Sequence, residues 1–242
     1  METIVETGLL LRLLLAHIFS DFMLQPAGWV THKLQYRERS RFLYFHILVT
    51  GALAYVATWH IDGWKISLLI MVTHYLIDLW KLYCRNNLFY FVADQLLHVL
   101  VIVLGWMIFY HGFNFQIAAN FNWPIIWLYS FVFAFIIWPV GYFISFATAS
   151  WRKKLEEDAG ESLEQAGKYI GMLERILVMI FILTGRYETI GLLIAAKSIL
   201  RFNESKARKH TEYVLIGTML SFAITLVAGL AAQYYVAALV NK

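Results

Sequence analysis

Long apolar runs alternate with short polar connections along the whole chain. A helix needs about 20 residues, at a rise of about 1.5 Å each, to cross a hydrocarbon core of roughly 30 Å. Each run is continuously apolar, whereas the strands of a membrane barrel alternate apolar and polar residues. The runs therefore predict helices. Eight spans are predicted, at about 7–25, 42–59, 64–82, 88–109, 123–149, 169–184, 188–200 and 211–240. The predicted fold is all-α, a polytopic transmembrane helical bundle.

Lysines and arginines are distributed unevenly among the connections between these spans. Alternate connections, beginning after the first span, contain Lys33, Arg37, Arg39, Arg41, Lys81, Arg85, Arg152, Lys153, Lys154, Lys168, Arg201, Lys206, Arg208 and Lys209. The other connections and the termini contain Lys65, Arg186 and Lys242. Because the positive side of a membrane protein faces the cytoplasm, both termini are predicted to lie outside.

Composition supports a membrane protein and excludes other classes. Hydrophobic residues make up 60% of the 242 positions, against about 45–50% in soluble domains. The net charge of +4 is accounted for by topology, so nucleic acid is excluded as a partner. Cys84 is the single cysteine, which excludes an intramolecular disulfide and a cysteine-based metal site.

We treat residues 1–242 as one transmembrane domain with two halves. Residues 1–115 form the first four-helix half, and its spans carry the histidines and aspartates described next. Residues 116–242 form a second four-helix half with a cytoplasmic loop at 150–168. Pro26 is predicted to end the first span, and Pro139 with Gly141 to kink the fifth.

Histidine and aspartate recur at a spacing of four residues inside the first, third and fourth spans. The pairs are His17 with Asp21, His74 with Asp78, and Asp94 with His98, and the second span contributes His46. Residues four apart share a helix face. The order is reversed in the fourth span, which crosses the membrane in the opposite direction to the other two. All seven side chains are therefore predicted at one level, near the cytoplasmic ends of the spans.

These seven residues predict a metal site that faces the bundle interior. An aspartate at the centre of a membrane helix costs about 2.5–3.5 kcal/mol, so three of them should point inward and be paired. Imidazole and carboxylate ligands suit Zn, Mn or Fe, and seven ligands suffice for one or two divalent ions. A structural polar network and a proton or ion pathway are the alternatives. Asp21, Asp78 and Asp94 are also the candidate catalytic bases.

Three basic residues near the cytoplasmic ends of the later spans are candidates for binding a substrate anion. They are Arg175, Lys197 and Arg201, whose side chains suit phosphate oxygens. The alternative is ion pairing within the bundle, for example between Glu174 and Lys197.

Several motifs give the chain a family resemblance. "AHIFSDFMLQ", "THYLIDLWK", "VADQLLHV", "GKYIGMLERIL", "AAKSILRF" and "EYVLIGTMLS" resemble an uncharacterised family of bacterial integral membrane proteins. The first half is more distantly similar to predicted membrane-bound metal-dependent hydrolases. The resemblance implies a multi-pass protein of the bacterial inner membrane with a metal-dependent hydrolytic site.

The function predicted from the sequence is a metal-dependent hydrolase embedded in the membrane. Its predicted substrate is a phosphoester or pyrophosphate, most simply of a lipid, reached from the cytoplasmic side. A divalent cation or proton transporter or channel is the first alternative. The second is a non-catalytic assembly component with a structural metal. A membrane lipid is the predicted partner, and a homo-oligomer or a protein partner in the membrane is left open.

Overall fold

The structure is a computed structural model that describes residues 2–109, 123–149, 161–202 and 208–240. Every regular element in these ranges is helical. The α-helices are α1 Glu2–Ile18, α2 Ala27–Tyr36, α3 Arg41–Thr58, α4 Trp64–Tyr83, α5 Leu88–Phe109, α6 Trp123–Ile137, α7 Pro139–Ala147, α8 Glu161–Leu183, α9 Tyr187–Phe202 and α10 Arg208–Val240. A π-helix covers Phe19–Met23, and short 3₁₀ turns cover Arg37–Arg39 and Ile61–Gly63. The all-α prediction is confirmed for these residues.

The chain divides into two compact units, residues 1–134 and residues 135–242. The division falls within helix α6. The boundary predicted near residue 115 and most of the predicted loop at 150–168 lie outside the described residues.

Among the described residues, five helical segments are long and apolar enough to cross a membrane. They are Arg41–Thr58, Ile61–Tyr83, Leu88–Phe109, Pro124–Ala147 and Leu215–Ala238. A bent pair in the first unit makes a sixth if it is counted as one span. The prediction of eight spans is therefore not confirmed. The predicted spans 169–184 and 188–200 are helical, but their charged residues leave apolar stretches shorter than a span requires.

The first predicted span is bent. Its apolar part, Gly8–Met23, is followed by a second helical segment, Ala27–Arg39, at an angle of 81°. Pro26 separates them with extended backbone (φ −59°, ψ 149°), as expected for a residue without an N–H. Residues 27–36 had been assigned to a polar connection, and their helical structure brings that connection back towards the bundle.

The first unit packs α1, α3, α4 and α5 around an apolar core. The core residues are Leu9, Leu13, Ala54, Ile66, Ile70 and Ile102. Close approach of α3 and α4 depends on Gly51, where a Cβ would lie 3.0 Å from Sδ of Met71. Ser67 Oγ donates to the carbonyl of Gly51 over 2.6 Å at the same place.

The inward faces of α3, α4 and α5 carry both apolar and polar buried residues. In α4 this face runs Ile66, Ile70, His74, Asp78, all buried, because four residues make slightly more than one helical turn. Outward positions on the same helices are large and apolar, and Leu48, Leu76 and Leu96 are 60%, 56% and 63% exposed. Polar groups inside and leucines outside are the arrangement expected for a bundle surrounded by lipid.

The second unit has its own apolar core and an interrupted helix. Val178, Ile182, Ile190 and Phe222 form the core. The predicted kink appears as a break between α6 and α7 at Trp138, directly before Pro139.

Candidate metal centre

Seven side chains from α1, the π-helix, α3, α4 and α5 form one buried cluster in the first unit. They are His17, Asp21, His46, His74, Asp78, Asp94 and His98. The four histidines are at most 5% exposed, and the aspartate side chains are 10–11% exposed. These are the seven residues that the four-residue spacing placed at one level.

Asp21 is the point on which three histidines converge. Its Oδ1 lies 3.6 Å from Nδ1 of His17, 3.5 Å from Nε2 of His46 and 3.4 Å from Nε2 of His74. The Nε2 atoms of His46 and His74 are 3.0 Å apart. Asp21 belongs to the π-helix Phe19–Met23, an element that often marks functional positions because it re-aims side chains.

The other end of the cluster contains Asp78, Asp94 and His98. Nε2 of His98 lies 3.6 Å from Oδ1 of Asp78 and 3.5 Å from Oδ1 of Asp94. The His74 and His98 rings stack with their centroids 4.0 Å apart, which joins this end to the Asp21 end.

Gln95 determines which nitrogen of His17 carries the proton. Nε2 of Gln95 donates to Oδ2 of Asp94 over 3.1 Å, since a carboxylate accepts only. Oε1 of Gln95 therefore faces Nε2 of His17 at 3.3 Å and accepts a hydrogen bond from its N–H. In the neutral imidazole, Nδ1 is then an acceptor. It faces Oδ1 of Asp21, a second acceptor, at 3.6 Å, an arrangement that a bound cation would satisfy.

Several buried ligand atoms have no hydrogen-bond partner in the part of the chain that the structure describes. They are Nδ1 of His17 and of His46, Oδ1 of Asp21 and of Asp94, and Nε2 of His98. Buried polar atoms are normally satisfied. Around a tetrahedral ion with bonds of about 2.1 Å, neighbouring ligand atoms lie about 3.4 Å apart, close to the separations measured around Asp21. The donor set therefore fits a divalent metal ion.

Lys33 belongs to this cluster, although it had been assigned to a polar connection. Its Nζ donates to Oδ2 of Asp78 over 2.7 Å, and its side chain is 7% exposed. The bend at Pro26 carries α2 back to the site and makes Lys33 the partner, a result that no local spacing reveals.

Lys33→Met is expected to destabilise the metal-free protein by roughly 3–5 kcal/mol, because it leaves the buried Asp78 carboxylate without its cation. Added Mn²⁺ should restore most of the loss, since a divalent ion replaces the missing positive charge. Thermal unfolding in detergent, followed by the fluorescence of the nine tryptophans, measures both effects.

Lys65→Met is the matched control for this prediction. Nζ of Lys65 lies 3.9 Å from Oδ1 of Asp62, and both side chains are at least half exposed, so the variant should unfold like the wild type. Equal stability of all three proteins without metal would contradict a buried Lys33–Asp78 pair.

Two further contacts hold α2 and the π-helix in place. Tyr83, at the end of α4, donates its hydroxyl to Oε2 of Glu38 over 2.6 Å. This hydrogen bond holds the pKa of Glu38, in the turn after α2, below its ordinary value. The hydroxyls of Ser20 and Thr50 are hydrogen-bonded and join the π-helix to α3.

The three candidate anion-binding residues lie in the second unit, in different surroundings. Arg175 is 4% exposed and donates to the carbonyls of Ile136 and Ile137. Lys197 pairs with Glu174, with 2.6 Å between Nζ and Oε2, which is the alternative that the sequence left open. The side chain of Arg201 lies outside the described residues.

Comparison with known proteins identifies one domain. The sequence model of a family described as "Protein of unknown function (DUF3307)" matches residues 9–126, just under half of the chain. All seven cluster residues and Lys33 lie inside the match. No curated protein and no solved structure matches the chain. This match supports the predicted resemblance to an uncharacterised family. The resemblance to hydrolases and the bacterial origin stay predictions.

Proposed function

We propose that the segment similar to DUF3307 forms a divalent metal site in the membrane and hydrolyses a phosphoester or pyrophosphate. The proposed substrate is a lipid whose headgroup enters from the cytoplasmic side, and the proposed location is the bacterial inner membrane. The proposal concerns the first unit, because all seven candidate ligands belong to it.

The observation that carries the proposal is the convergence of histidine nitrogens on one oxygen of Asp21. Oδ1 of Asp21 lies within 3.6 Å of three histidine nitrogens, and Nδ1 of His17 is left as an acceptor by the hydrogen bond to Gln95. Nδ1 of His17 and Oδ1 of Asp21 have no hydrogen-bond partner among the described residues, and two facing acceptors repel one another without a cation between them. In a purely structural network, each of these two atoms would face a donor.

In the proposed reaction, the bound ion, Asp94 and Lys33 would have separate roles. A bound divalent ion supplies Lewis acidity and activates water for attack. Oδ2 of Asp94 is occupied by Gln95, which leaves Oδ1 to bind an ion or accept a proton. Lys33, beside Asp78, adds a positive charge that favours a phosphate group over a neutral ester.

The apolar outer faces of α3, α4 and α5 support a lipid substrate. Large side chains such as Leu48, Leu76 and Leu96 are exposed there, so acyl or prenyl chains can remain in the hydrocarbon while the headgroup meets the buried polar residues.

Treatment with a chelator tests the hydrolase directly. The purified full chain, loaded with Mn²⁺ or Zn²⁺, is expected to release phosphate from phosphatidic acid or a long-chain prenyl diphosphate in mixed micelles. EDTA followed by desalting should abolish the activity, and the same ion should restore it, because the ligands are otherwise unchanged. Protein that binds no stoichiometric metal by mass spectrometry would contradict the proposal.

The bend at the site supports a transporter as the second candidate function. Transporters commonly bind ions at interrupted helices, and Asp21 lies in the π-helix just before the 81° bend at Pro26. Proteoliposomes loaded with a Mn²⁺-sensitive dye separate the two functions. Influx that disappears in Asp94→Asn, without phosphate release from either lipid, would favour transport over hydrolysis.

A further inference from the structure

We infer that the cluster is a two-ion site in which the Asp78 carboxylate lies between the ions, and that the second ion binds together with a phosphate-type oxyanion. This inference rests on the proposed function, since it assumes that the cluster binds metal. It adds the number of ions, the ligands of each ion and the charge of the substrate group.

Two groups of potential ligands share no residue. Asp21, His46 and His74 form one triad, and Asp78, Asp94 and His98 form the other. Within each triad the ligand atoms lie within 4.8 Å of one another. Because no side chain has to serve both triads, both can be occupied at once.

The two triads adjoin. A third group, His17, His74 and His98, takes one histidine from each triad and is equally compact. The stacked rings of His74 and His98 have centroids 4.0 Å apart. Catalytic metal pairs act on one phosphate group from adjoining sites, and two triads joined through His74 and His98 have that arrangement.

Asp78 faces both triads. Its Oδ1 lies 3.7 Å from Nε2 of His74 and 3.6 Å from Nε2 of His98, one residue of each triad. Its Oδ2 lies 3.6 Å from Nε2 of His46. Because Oδ1 lies near a histidine of each triad, the Asp78 carboxylate can serve both ions while Oδ2 also accepts the hydrogen bond from Lys33. Among the described residues, Asp94 has no such ion-pair distance to a member of the Asp21 triad.

The charges of the cluster set the condition for the second ion. With ligating imidazoles neutral, three carboxylates and the Lys33 ammonium sum to a charge of −2. One divalent ion makes the site neutral, and a second leaves +2. An uncompensated charge in a buried site is unfavourable. A dianionic phosphate group restores neutrality, so it should be required for the second ion to bind.

Equilibrium dialysis of the full chain in detergent against Mn²⁺ tests the inference, with metal counted by mass spectrometry. Inorganic phosphate is the probe anion, kept below the solubility limit of manganese phosphate. We expect about one ion per chain without phosphate and about two with it. The doubly loaded protein should show the spin-coupled electron paramagnetic resonance signal of a manganese pair.

Three variants test which residues bind each ion and how Lys33 affects the second one. Asp94→Asn and His46→Gln should each bind one ion with phosphate present and lose the coupled signal, because each removes a ligand of one triad. Lys33→Met lowers the charge of the phosphate-free two-ion site from +2 to +1, so its second ion should bind more tightly without phosphate than that of the wild type. Size-exclusion chromatography and thermal unfolding verify that each variant is folded before its metal is counted.

His60→Gln and Asp62→Asn are the matched controls. Nδ1 of His60 and Oδ2 of Asp62 are 3.8 Å apart in an exposed turn of the same unit, so the same substitutions there should leave both ions bound. One ion in the wild type under both conditions would overturn the two-ion site and leave a single-metal hydrolase intact. No bound ion would overturn both proposals. Two ions without phosphate would overturn the anion requirement.

Discussion

Asp21→Asn is expected to reduce phosphate release from the lipid substrate by about 10³-fold or more, with little change in folding. Asparagine has nearly the same shape as aspartate, so the packing around the π-helix is retained. It lacks the negative charge at the oxygen that three histidine nitrogens approach within 3.6 Å. Loss of metal stabilisation worth several kcal/mol corresponds to this factor, at about 1.4 kcal/mol for each tenfold change.

The measurement is the initial rate of phosphate release with Mn²⁺ in excess, compared with metal content and thermal unfolding. Asp62→Asn is the control because Asp62 is an exposed aspartate of the same unit, with half of its side chain accessible. A folded Asp21→Asn protein that keeps the wild-type rate and metal content would remove Asp21 from the site.

Arg175→Leu is expected to destabilise the protein by roughly 3–5 kcal/mol, the second largest effect. The guanidinium donates to the carbonyls of Ile136 and Ile137 at the end of α6, next to the break at Trp138. The helix is broken between Ile137 and Pro139, so the last carbonyls of α6 lack their usual intrahelical donors. Leucine would leave two buried acceptors unsatisfied, at about 1–3 kcal/mol each.

The space around Arg175 agrees with this structural role. A Cβ at Gly141 would lie 3.1 Å from Nη2, and one at Gly171 would lie 3.3 Å from Nη1, so two glycines make room for the guanidinium. Thermal unfolding of Arg175→Leu beside the exposed Arg186→Leu measures the effect. If Arg175→Leu unfolds like the control and phosphate release is lost, Arg175 binds the substrate anion, as the sequence proposed.

Helical periodicity explains why the candidate ligands could be predicted. Residues four apart lie on one face, and an aspartate facing lipid is unfavourable, so His74 with Asp78 and Asp94 with His98 had to face inward. The positive residues gave the direction of each span and hence the common level. The structure brings all seven residues together, and the metal itself stays a proposal.

Features that depend on the bend at Pro26 could not be predicted in the same way. Lys33 lies in a stretch with the composition of a polar connection, and its nearest site residue in space, Asp78, is 45 positions away in the sequence. Gln95 is next to Asp94 in the sequence, but its hydrogen bond to His17 crosses from α5 to α1. The prediction of eight spans is not confirmed among the described residues, because it counted helices whose charges leave too short an apolar stretch.

The sequence by itself determined that the chain is helical and apolar enough for a membrane, and which seven histidines and aspartates share one inward level. Hydrophobicity and helical periodicity are local properties, so they can be read along the chain. Only the tertiary structure decided that Lys33 neutralises Asp78, that Gln95 leaves Nδ1 of His17 facing Asp21, and that the ligands form two adjoining triads. Those results depend on distances of a few ångströms between separate helices, which local patterns do not determine.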